Sequence, residues 1–271
     1  MIKNLVLGGS GPCCITYLGV LRYLKEINKL DNIKNYYGSS SGSLINLLLI
    51  LEYNLDEIEE IFLKINFDDL VCYNIFKIED IIKCLIYNNW MDMIKNMGVN
   101  TNNKLEKFIK KIIKKKINNK YITFLELKKI TKKNLYLKGF NITDNKLEIF
   151  SYKHTPNMPV FLGILISCSP PVITKNIIYN SKIYCDGGMN IKYPLNFVSK
   201  NNNDTLIIKV KELISNINCN LCKKILPNLI IIDIGKIYFS NYKLKLCDKL
   251  NYLKIGYETA KEYFYNNNYF D

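Results

Sequence analysis

A serine between two glycines is the first feature of the sequence that could carry out chemistry. Gly38 and Gly42 flank Ser40 in the run YYGSSSGSL, which fits the pattern G-x-S-x-G. A nucleophile at a turn between a strand and a helix needs glycine on both sides, because side chains there would crowd the backbone. The following helix would direct the positive end of its dipole at the serine. Ser40 is therefore a candidate nucleophile; the alternative is a flexible loop rich in serine and glycine.

A nucleophilic serine needs a base, and two residues compete for that role. His154 is the only histidine, and the usual order of serine, acid and histidine would require an acid between Ser40 and His154, which is a poor fit. The second candidate is Asp186. Gly187 and Gly188 follow it, and they favour a tight turn at a strand end with space beside it. Many Asp-Gly-Gly stretches are plain turns, so the residues alone leave both interpretations of Asp186 open.

A glycine turn follows the first apolar segment and offers the remaining catalytic requirement. Gly8, Gly9, Ser10 and Gly11 stand in sequence there, and backbone N–H groups of such a turn can stabilise the oxyanion of an acyl transfer reaction. The competing interpretation is a dinucleotide-binding G-x-G-x-x-G. Its third glycine position holds Cys14, and no acidic residue ends a second strand at the expected distance. A P-loop is excluded, because no G-K-[ST] follows the turn.

The elements that must position these residues alternate between strands and helices. A strand at residues 4–7 precedes the glycine turn, and a strand at 33–37 enters the Ser40 turn before a helix at 43–53. A helical stretch is predicted for residues 54–120, and a closing helix for 250–265. Further strands are predicted for residues 135–140, 146–152, 182–184, 206–210 and 229–234. This alternation indicates an α/β fold with helices on both sides of a sheet.

Length and composition, with 48% apolar residues, fit one large globular domain or two small ones. The formal net charge is +14, yet Arg22 is the only arginine among 38 basic residues. Specific nucleic-acid recognition depends on the bidentate fork of arginine, so no nucleic-acid partner is expected.

Cysteine usage and the apolar runs bear on localisation. The nine cysteines are scattered and odd in number, which favours a reducing compartment, and the N-terminus lacks the features of a signal peptide. Apolar runs such as Leu44–Leu51 are shorter than the roughly 20 residues that cross a bilayer. A cytoplasmic protein with at most peripheral membrane contact is therefore expected.

A basic segment at residues 104–133 holds twelve lysines and two glutamates. Its apolar residues recur at helical spacing and are Phe108, Ile109, Ile112, Ile113 and Ile117. One interpretation is a solvated helix face over a buried one; the alternative is attraction to anionic lipid. The pair Cys219 and Cys222 has the spacing of a metal or redox site, but a single C-x-x-C is too weak to assign one.

Three motifs in this order resemble the patatin-like phospholipase family: a glycine turn after the first strand, G-x-S-x-G after the second, and Asp-Gly-Gly much later. The stretches that carry the resemblance are LVLGGSGPCCITYLGVLRYL, YYGSSSGSL, TPNMPVFLGILISCSPPV, YCDGGMNIKYP and LIIIDIGK. They extend over nearly the whole chain. The resemblance implies a single domain over residues 1–271 with a three-layer α/β/α fold and a mostly parallel central sheet.

The resemblance also implies a mechanism without histidine, metal or organic cofactor. Ser40 would attack the acyl ester of a membrane lipid, and Asp186 would accept its proton. Water would then hydrolyse the acyl-enzyme. The oxyanion donors would be the backbone N–H groups of Ser10 and Gly11, with Gly9 completing the turn.

One departure from the family concerns the residues after the glycine turn. The family usually places lysine or arginine and then glycine where this chain has Cys13 and Cys14. The missing cation and the added side chain leave an alternative to the hydrolase, namely a lipid-binding relative with weak or absent activity.

Overall fold

A computed structural model describes residues 1–71, 98–187, 203–211, 228–235 and 242–267, and all element labels refer to these ranges. The helices are α1 (Ile15–Glu26), α2 (Ser41–Ile50), α3 (Leu55–Lys64), α4 (Phe67–Val71), α5 (Asn103–Lys116), α6 (Phe124–Thr131), α7 (Val160–Ser167) and α8 (Leu246–Asn266). The strands are β1 (Asn4–Leu7), β2 (Asn35–Gly38), β3 (Gly98–Asn100), β4 (Asn134–Asn141), β5 (Lys146–Ser151), β6 (Val172–Thr174), β7 (Ile177–Tyr179), β8 (Lys182–Asp186), β9 (Thr205–Val210) and β10 (Leu229–Ile232).

A central sheet has the strand order β10-β9-β1-β2-β4-β8-β7, and β5 also pairs with β4. Strands β10, β9, β1, β2 and β4 run parallel, whereas β5 and β8 are antiparallel to β4. Both faces of β1 are buried, as expected for a central parallel strand. Leu5 and Leu7 belong to the main core, while Val6 packs in a smaller cluster with Ile207 and Leu229. The predicted α/β fold, a mostly parallel sheet flanked by helices, is confirmed.

Strand β4 brings two strand ends together along one edge. Strand β5 occupies one edge of β4, so β2 and β8 share the other edge, one after the other. Gly38 at the end of β2 pairs with Leu137, and Asp186 at the end of β8 pairs with Gly139. Only Lys138 separates the two pairing positions. The chain that leaves β2 and the chain that leaves β8 therefore meet at the same place.

Helices α1 and α8 pack at backbone contact distance through two glycines. A Cβ atom added to Gly19 would lie 2.0 Å from the carbonyl oxygen of Leu253, and one added to Gly256 would lie 1.8 Å from that of Thr16. Real Cβ atoms do not approach other atoms so closely, so each position requires glycine. This contact fixes α1, which follows the glycine turn directly.

Most predicted elements are confirmed, and the differences concern helix α6, which was not predicted, and three short strands. The strands β1, β2, β4, β5, β8, β9 and β10 and the closing helix lie where the sequence places them, within a few residues. Strand β3 interrupts the stretch 54–120 that the sequence predicts as helical. Strands β6 and β7 were not predicted; like β3, each has only three residues, too few to show an alternating pattern. Among the described residues, no helix is both long and apolar enough to cross a membrane.

Candidate active site

Ser40 occupies the turn between β2 and α2 in a backbone conformation that side-chain-bearing residues rarely adopt. Its φ is 50° and its ψ is −131°. Such a backbone conformation costs a non-glycine residue on the order of 1–3 kcal/mol of stability and persists only where the surrounding structure holds it. Strained residues of this kind are common at active sites. Ser40 is partly exposed, while Ser39 and Gly42 beside it are buried. The turn therefore presents the Ser40 side chain at the start of a helix, as a nucleophile requires.

The two glycines of the G-x-S-x-G motif lie where a side chain has no space. A Cβ atom on Gly38 would lie 2.6 Å from the Cα of Ser43, and one on Gly42 would lie 2.5 Å from the carbonyl oxygen of Leu7. Both contacts are to backbone atoms, which cannot rotate away. The glycines thus let α2 start directly against β1 and β2.

The backbone of Ser40 is hydrogen-bonded across the turn by the end of α7. The Ser40 N–H donates to Ser167 Oγ at 3.1 Å, and the Cys168 thiol donates to the Ser40 carbonyl oxygen at 3.1 Å. The Ser167 hydroxyl also lies 2.9 Å from Ser43 Oγ. Sequence analysis did not identify Ser167 and Cys168 as site residues. The available signal was the run of small residues before Pro170 and Pro171 at the end of a helix.

Asp186 ends β8 and is 5% exposed. Its backbone N–H donates to the carbonyl oxygen of Ser169 at 2.8 Å, so the same segment that bonds to Ser40 also bonds to Asp186. Burial and the negative charge of Asp186 raise the pKa of the Cys168 thiol, in that order of importance. Cys168 is thus close enough to Asp186 for the carboxylate charge to raise the pKa of its thiol. The same thiol contacts the backbone of Ser40.

Of the two glycines after Asp186, the structure describes only Gly187. A Cβ atom on Gly187 would lie 2.8 Å from the Cβ of Lys138, so the chain passes close to β4 directly after the acid. Gly188 lies outside the described residues, as do Cys219 and Cys222.

The glycine turn lies against Ser40. A Cβ atom on Gly9 would lie 3.0 Å from the Cβ of Ser40. The N–H of Ser10 donates to Ser41 Oγ at 3.2 Å, so this predicted oxyanion donor already has an acceptor. Gly11 has a φ of 52° and begins a 3₁₀ turn that ends at Cys14. Its N–H has no acceptor within the described part of the chain.

Cys13 and Cys14 are core residues directly beneath this turn. They are 2% and 0% exposed, and the Cys13 thiol lies 4.0 Å from the hydroxyl of Tyr252. Burial raises the pKa of Cys13 to about 11 and raises that of Cys14 further, although a hydrogen bond with Ser41 opposes the shift of Cys14. Both thiols stay protonated at neutral pH. The core accommodates the side chain at position 14, where the family usually has glycine.

His154 is an exposed residue of the turn after β5, and Nδ1 of its ring lies 2.8 Å from Ser151 Oγ. No hydrogen bond joins it to Ser40 or Asp186 in the described structure. Within the same ranges, no three His, Cys, Asp or Glu side chains are grouped so that they could hold a metal ion.

Known proteins match this chain over most of its length. The family model for patatin-like phospholipase matches residues 5–199. Protein R571 of Acanthamoeba polyphaga mimivirus is 30% identical over 230 residues, 79% of this chain and 72% of that protein. Probable lipid hydrolase 463L of invertebrate iridescent virus 6 is 32% identical over 201 residues, 74% of this chain and 64% of that protein. The crystal structure of VipD from Legionella pneumophila has a similar fold, with a TM-score of 0.68 and 17% identity; the match covers 96% of this chain and 66% of that one.

The fold and the family match define a class of α/β proteins named for the hydrolysis of lipid esters. The chain belongs to the patatin-like phospholipase family. It spans less than two thirds of 463L and about two thirds of VipD.

Proposed function

We propose that the protein is a lipid acyl hydrolase of the phospholipase A type, with Ser40 as nucleophile and Asp186 as base. The conformation of Ser40 carries this proposal, since φ 50° and ψ −131° hold its side chain out at the start of α2. In the first step Ser40 Oγ attacks the acyl carbonyl carbon while Asp186 takes its proton; the ester C–O bond then breaks, and the alcohol portion of the lipid leaves with that proton. Water, which gives a proton to Asp186, then attacks the acyl-enzyme; the bond to Ser40 Oγ breaks, Ser40 regains a proton from Asp186, and the fatty acid is released.

An aspartate is a weak base, so the reaction depends on holding Asp186 in place beside Ser40. Two features support that arrangement. The pairing of Gly38 and Asp186 with neighbouring parts of β4 brings the two strand ends together. The carbonyl oxygen of Ser169 also fixes the backbone of the acid.

The proposed oxyanion donors are the backbone N–H groups of Ser10 and Gly11, with Gly9 completing the turn. The Ser10 N–H bonds to Ser41 Oγ at 3.2 Å, a long hydrogen bond that a charged oxyanion would replace with a stronger one. The positive end of the α2 dipole adds to the stabilisation. Cys13 and Cys14 do not replace the lysine or arginine that the family usually has after the glycine turn. Their buried thiols are neutral and add no charge to the site.

A weakly active or inactive lipid-binding protein is the second candidate function. The observation that favours it is the same bond between the Ser10 N–H and Ser41 Oγ, which occupies one donor in the absence of substrate. If that bond persists with substrate bound, a donor is lost, and removal of one oxyanion donor costs roughly 10²–10³ in kcat.

Fatty-acid release from mixed phospholipid vesicles separates the two functions. The wild type is compared with Ser40→Ala and Asp186→Asn, each checked for folding by circular dichroism. The hydrolase predicts release by the wild type and none by either variant. Equal background release from all three proteins, with vesicle binding intact, would instead support the lipid-binding protein.

We further propose that residues 104–133 make peripheral contact with anionic lipid. Six lysines of α5 and its following loop line a groove of about 450 Å³, called here the lysine groove: Lys107, Lys110, Lys111, Lys114, Lys115 and Lys120. Within the described residues, Lys107, Lys111, Lys114 and Lys120 form no ion pair, whereas Lys110 and Lys115 pair with glutamates. The unpaired ammonium groups are available to phosphate groups of lipids.

The C-terminal end of α5 lies beyond the far end of α2, a helix of ten residues that begins beside Ser40. Tyr53 donates a hydrogen bond to the carbonyl oxygen of Ile112 at 2.8 Å, and Lys116 bonds to Glu57 at 3.0 Å. The N-terminal end of α5 lies near the chain that follows α7, since Asn102 donates to the carbonyl oxygen of Lys175 at 2.7 Å. The lysines of the groove without an ion pair in the described residues are exposed. Charge on them should therefore affect vesicle binding and not the chemical step.

A further inference from the structure

Three consecutive residues at the end of α7 bond to the backbones of both proposed catalytic residues. Ser167 Oγ accepts the Ser40 N–H at 3.1 Å, and the Cys168 thiol donates to the Ser40 carbonyl oxygen at 3.1 Å. The Ser169 carbonyl oxygen accepts the Asp186 N–H at 2.8 Å. The positions of the nucleophile and the acid are therefore coupled through one short segment.

The conformation of Ser40 requires such support. Its φ and ψ are unfavourable for a residue with a side chain, so contacts from outside the turn must hold them. Ser167 is 0% exposed, and the acceptor that it offers lies in the protein interior. Without it the Ser40 N–H would lose its hydrogen-bond partner. The peptide group before Ser40 would then be free to rotate, and the direction of the Ser40 side chain would change with it.

We propose that Ser167 is a positioning residue for the reaction: its hydroxyl fixes the peptide group of Ser40 and so aims Ser40 Oγ at the acyl carbon. Ser43 Oγ, 2.9 Å from Ser167 Oγ, orients that hydroxyl. The inference rests on the proposed role of Ser40 as nucleophile. Because Ser167 is buried and touches no substrate, its loss should lower kcat and leave KM unchanged.

A buried serine elsewhere in the fold offers a matched control for a purely structural role. Ser151 is 0% exposed, and its hydroxyl lies 2.8 Å from Nδ1 of His154. Ser151→Ala removes the same atom as Ser167→Ala at an equally buried position. Within the described residues, Ser151 forms no hydrogen bond with Ser40 or Asp186. A loss of packing alone would affect the two variants alike.

The test compares wild type, Ser167→Ala and Ser151→Ala in vesicle hydrolysis and in covalent labelling of Ser40 by a fluorophosphonate, with urea unfolding as a check. We expect Ser167→Ala to lower kcat and the labelling rate by about 10- to 100-fold, the scale of small misplacements of a reacting group. KM should stay within about twofold, and Ser151→Ala should stay within about threefold of wild type in rate. Equal losses in both variants, or a wild-type labelling rate in Ser167→Ala, would overturn the proposal.

A second variant keeps the test decisive if Ser167→Ala does not fold. Ser43→Ala leaves the Ser167 hydroxyl in place but removes the partner that orients it. Slower labelling of Ser40 in this variant, at unchanged KM for hydrolysis, supports the proposal. Labelling at the wild-type rate contradicts it.

Labelling also separates this inference from the proposed function. Wild type that is labelled at Ser40 but releases no fatty acid would overturn the hydrolase, and the positioning role would still be decided by the labelling rates. Wild type that is not labelled at Ser40 would overturn both.

Discussion

Gly9 is the residue at which the glycine turn approaches Ser40, the proposed nucleophile, and its replacement is the first prediction. A Cβ atom there would lie 3.0 Å from the Cβ of Ser40, so Gly9→Ala must displace either the turn or the serine. We expect a loss of about tenfold or more in kcat, because the oxyanion donors and the nucleophile lose their alignment. Fatty-acid release from vesicles measures this effect.

The neighbouring glycine provides the control for that prediction. A Cβ atom on Gly8 would have its nearest contact at 3.5 Å, with the Tyr17 hydroxyl, which is an ordinary van der Waals distance. Gly8→Ala should therefore keep nearly the full rate. Similar losses in the two variants would show that flexibility of the turn, and not the space beside Ser40, decides activity.

Cys13 gives a prediction about stability and pH. Burial raises the pKa of its thiol from 9.0 to about 11, so the folded state holds this proton more tightly than the unfolded state. Stability from this group is fully present below pH 9 and is lost as pH rises through about 11. Between about pH 8 and about pH 11, the free energy of unfolding measured in urea should fall by about 1–3 kcal/mol less in Cys13→Ala than in the wild type.

An exposed cysteine serves as the reference for the same measurement. Cys247→Ala makes the same substitution at an exposed position and controls for the removal of a cysteine as such. A Cys13→Ala variant with an unchanged pH dependence would mean that the thiol is not buried as the structure shows.

At the scale of elements, the contact between α1 and α8 holds the helix that follows the glycine turn. Replacing Gly19 by alanine favours helix formation by about 1 kcal/mol, but its Cβ would lie 2.0 Å from the carbonyl oxygen of Leu253. We expect the clash to dominate and Gly19→Ala to lower the free energy of unfolding by roughly 1–3 kcal/mol in urea titrations. Lys261→Ala, an exposed change on α8, should have little effect. A gain in stability for Gly19→Ala would show that α8 can move away without cost.

How far the sequence predicts the structure differs between elements and contacts. Apolar runs bounded by glycine predict β1, β2 and their helices well, because those patterns are local. The strained turn at Ser40 is also recognisable, since its glycines are part of the same short motif. The hydrogen bond between Ser40 and Ser167 joins residues more than 100 positions apart. No local pattern encodes this bond or the one between Asp186 and Ser169. The bond from the Ser10 N–H to Ser41 Oγ is likewise visible only once β1 and β2 are paired.

At the scale of the whole molecule, positive charge is concentrated in one region. The formal net charge is +14, and residues 104–133 alone contribute an excess of ten positive charges. The apolar side of α5 packs into the core, which leaves most of its lysines on the outer side. The molecule therefore has a strongly basic surface on α5 and the loop that follows it. Such a charge distribution orients a protein on an anionic surface.

Vesicle binding by charge variants tests that orientation. Lys107, Lys111 and Lys114 changed together to glutamine should weaken binding to phosphatidylcholine vesicles with added phosphatidylserine by about 100-fold, at about 1 kcal/mol per lysine. Glutamine at Lys25, Lys254 and Lys261, which are exposed on α1 and α8, makes the same change in net charge and should weaken binding much less. Both variants should hydrolyse a soluble short-chain ester at the wild-type rate, because the substituted lysines are exposed and form no ion pair within the described residues. Equal weakening in the two variants would mean that net charge alone attracts the protein, and undiminished binding in the first would mean that the lysine groove only faces solvent.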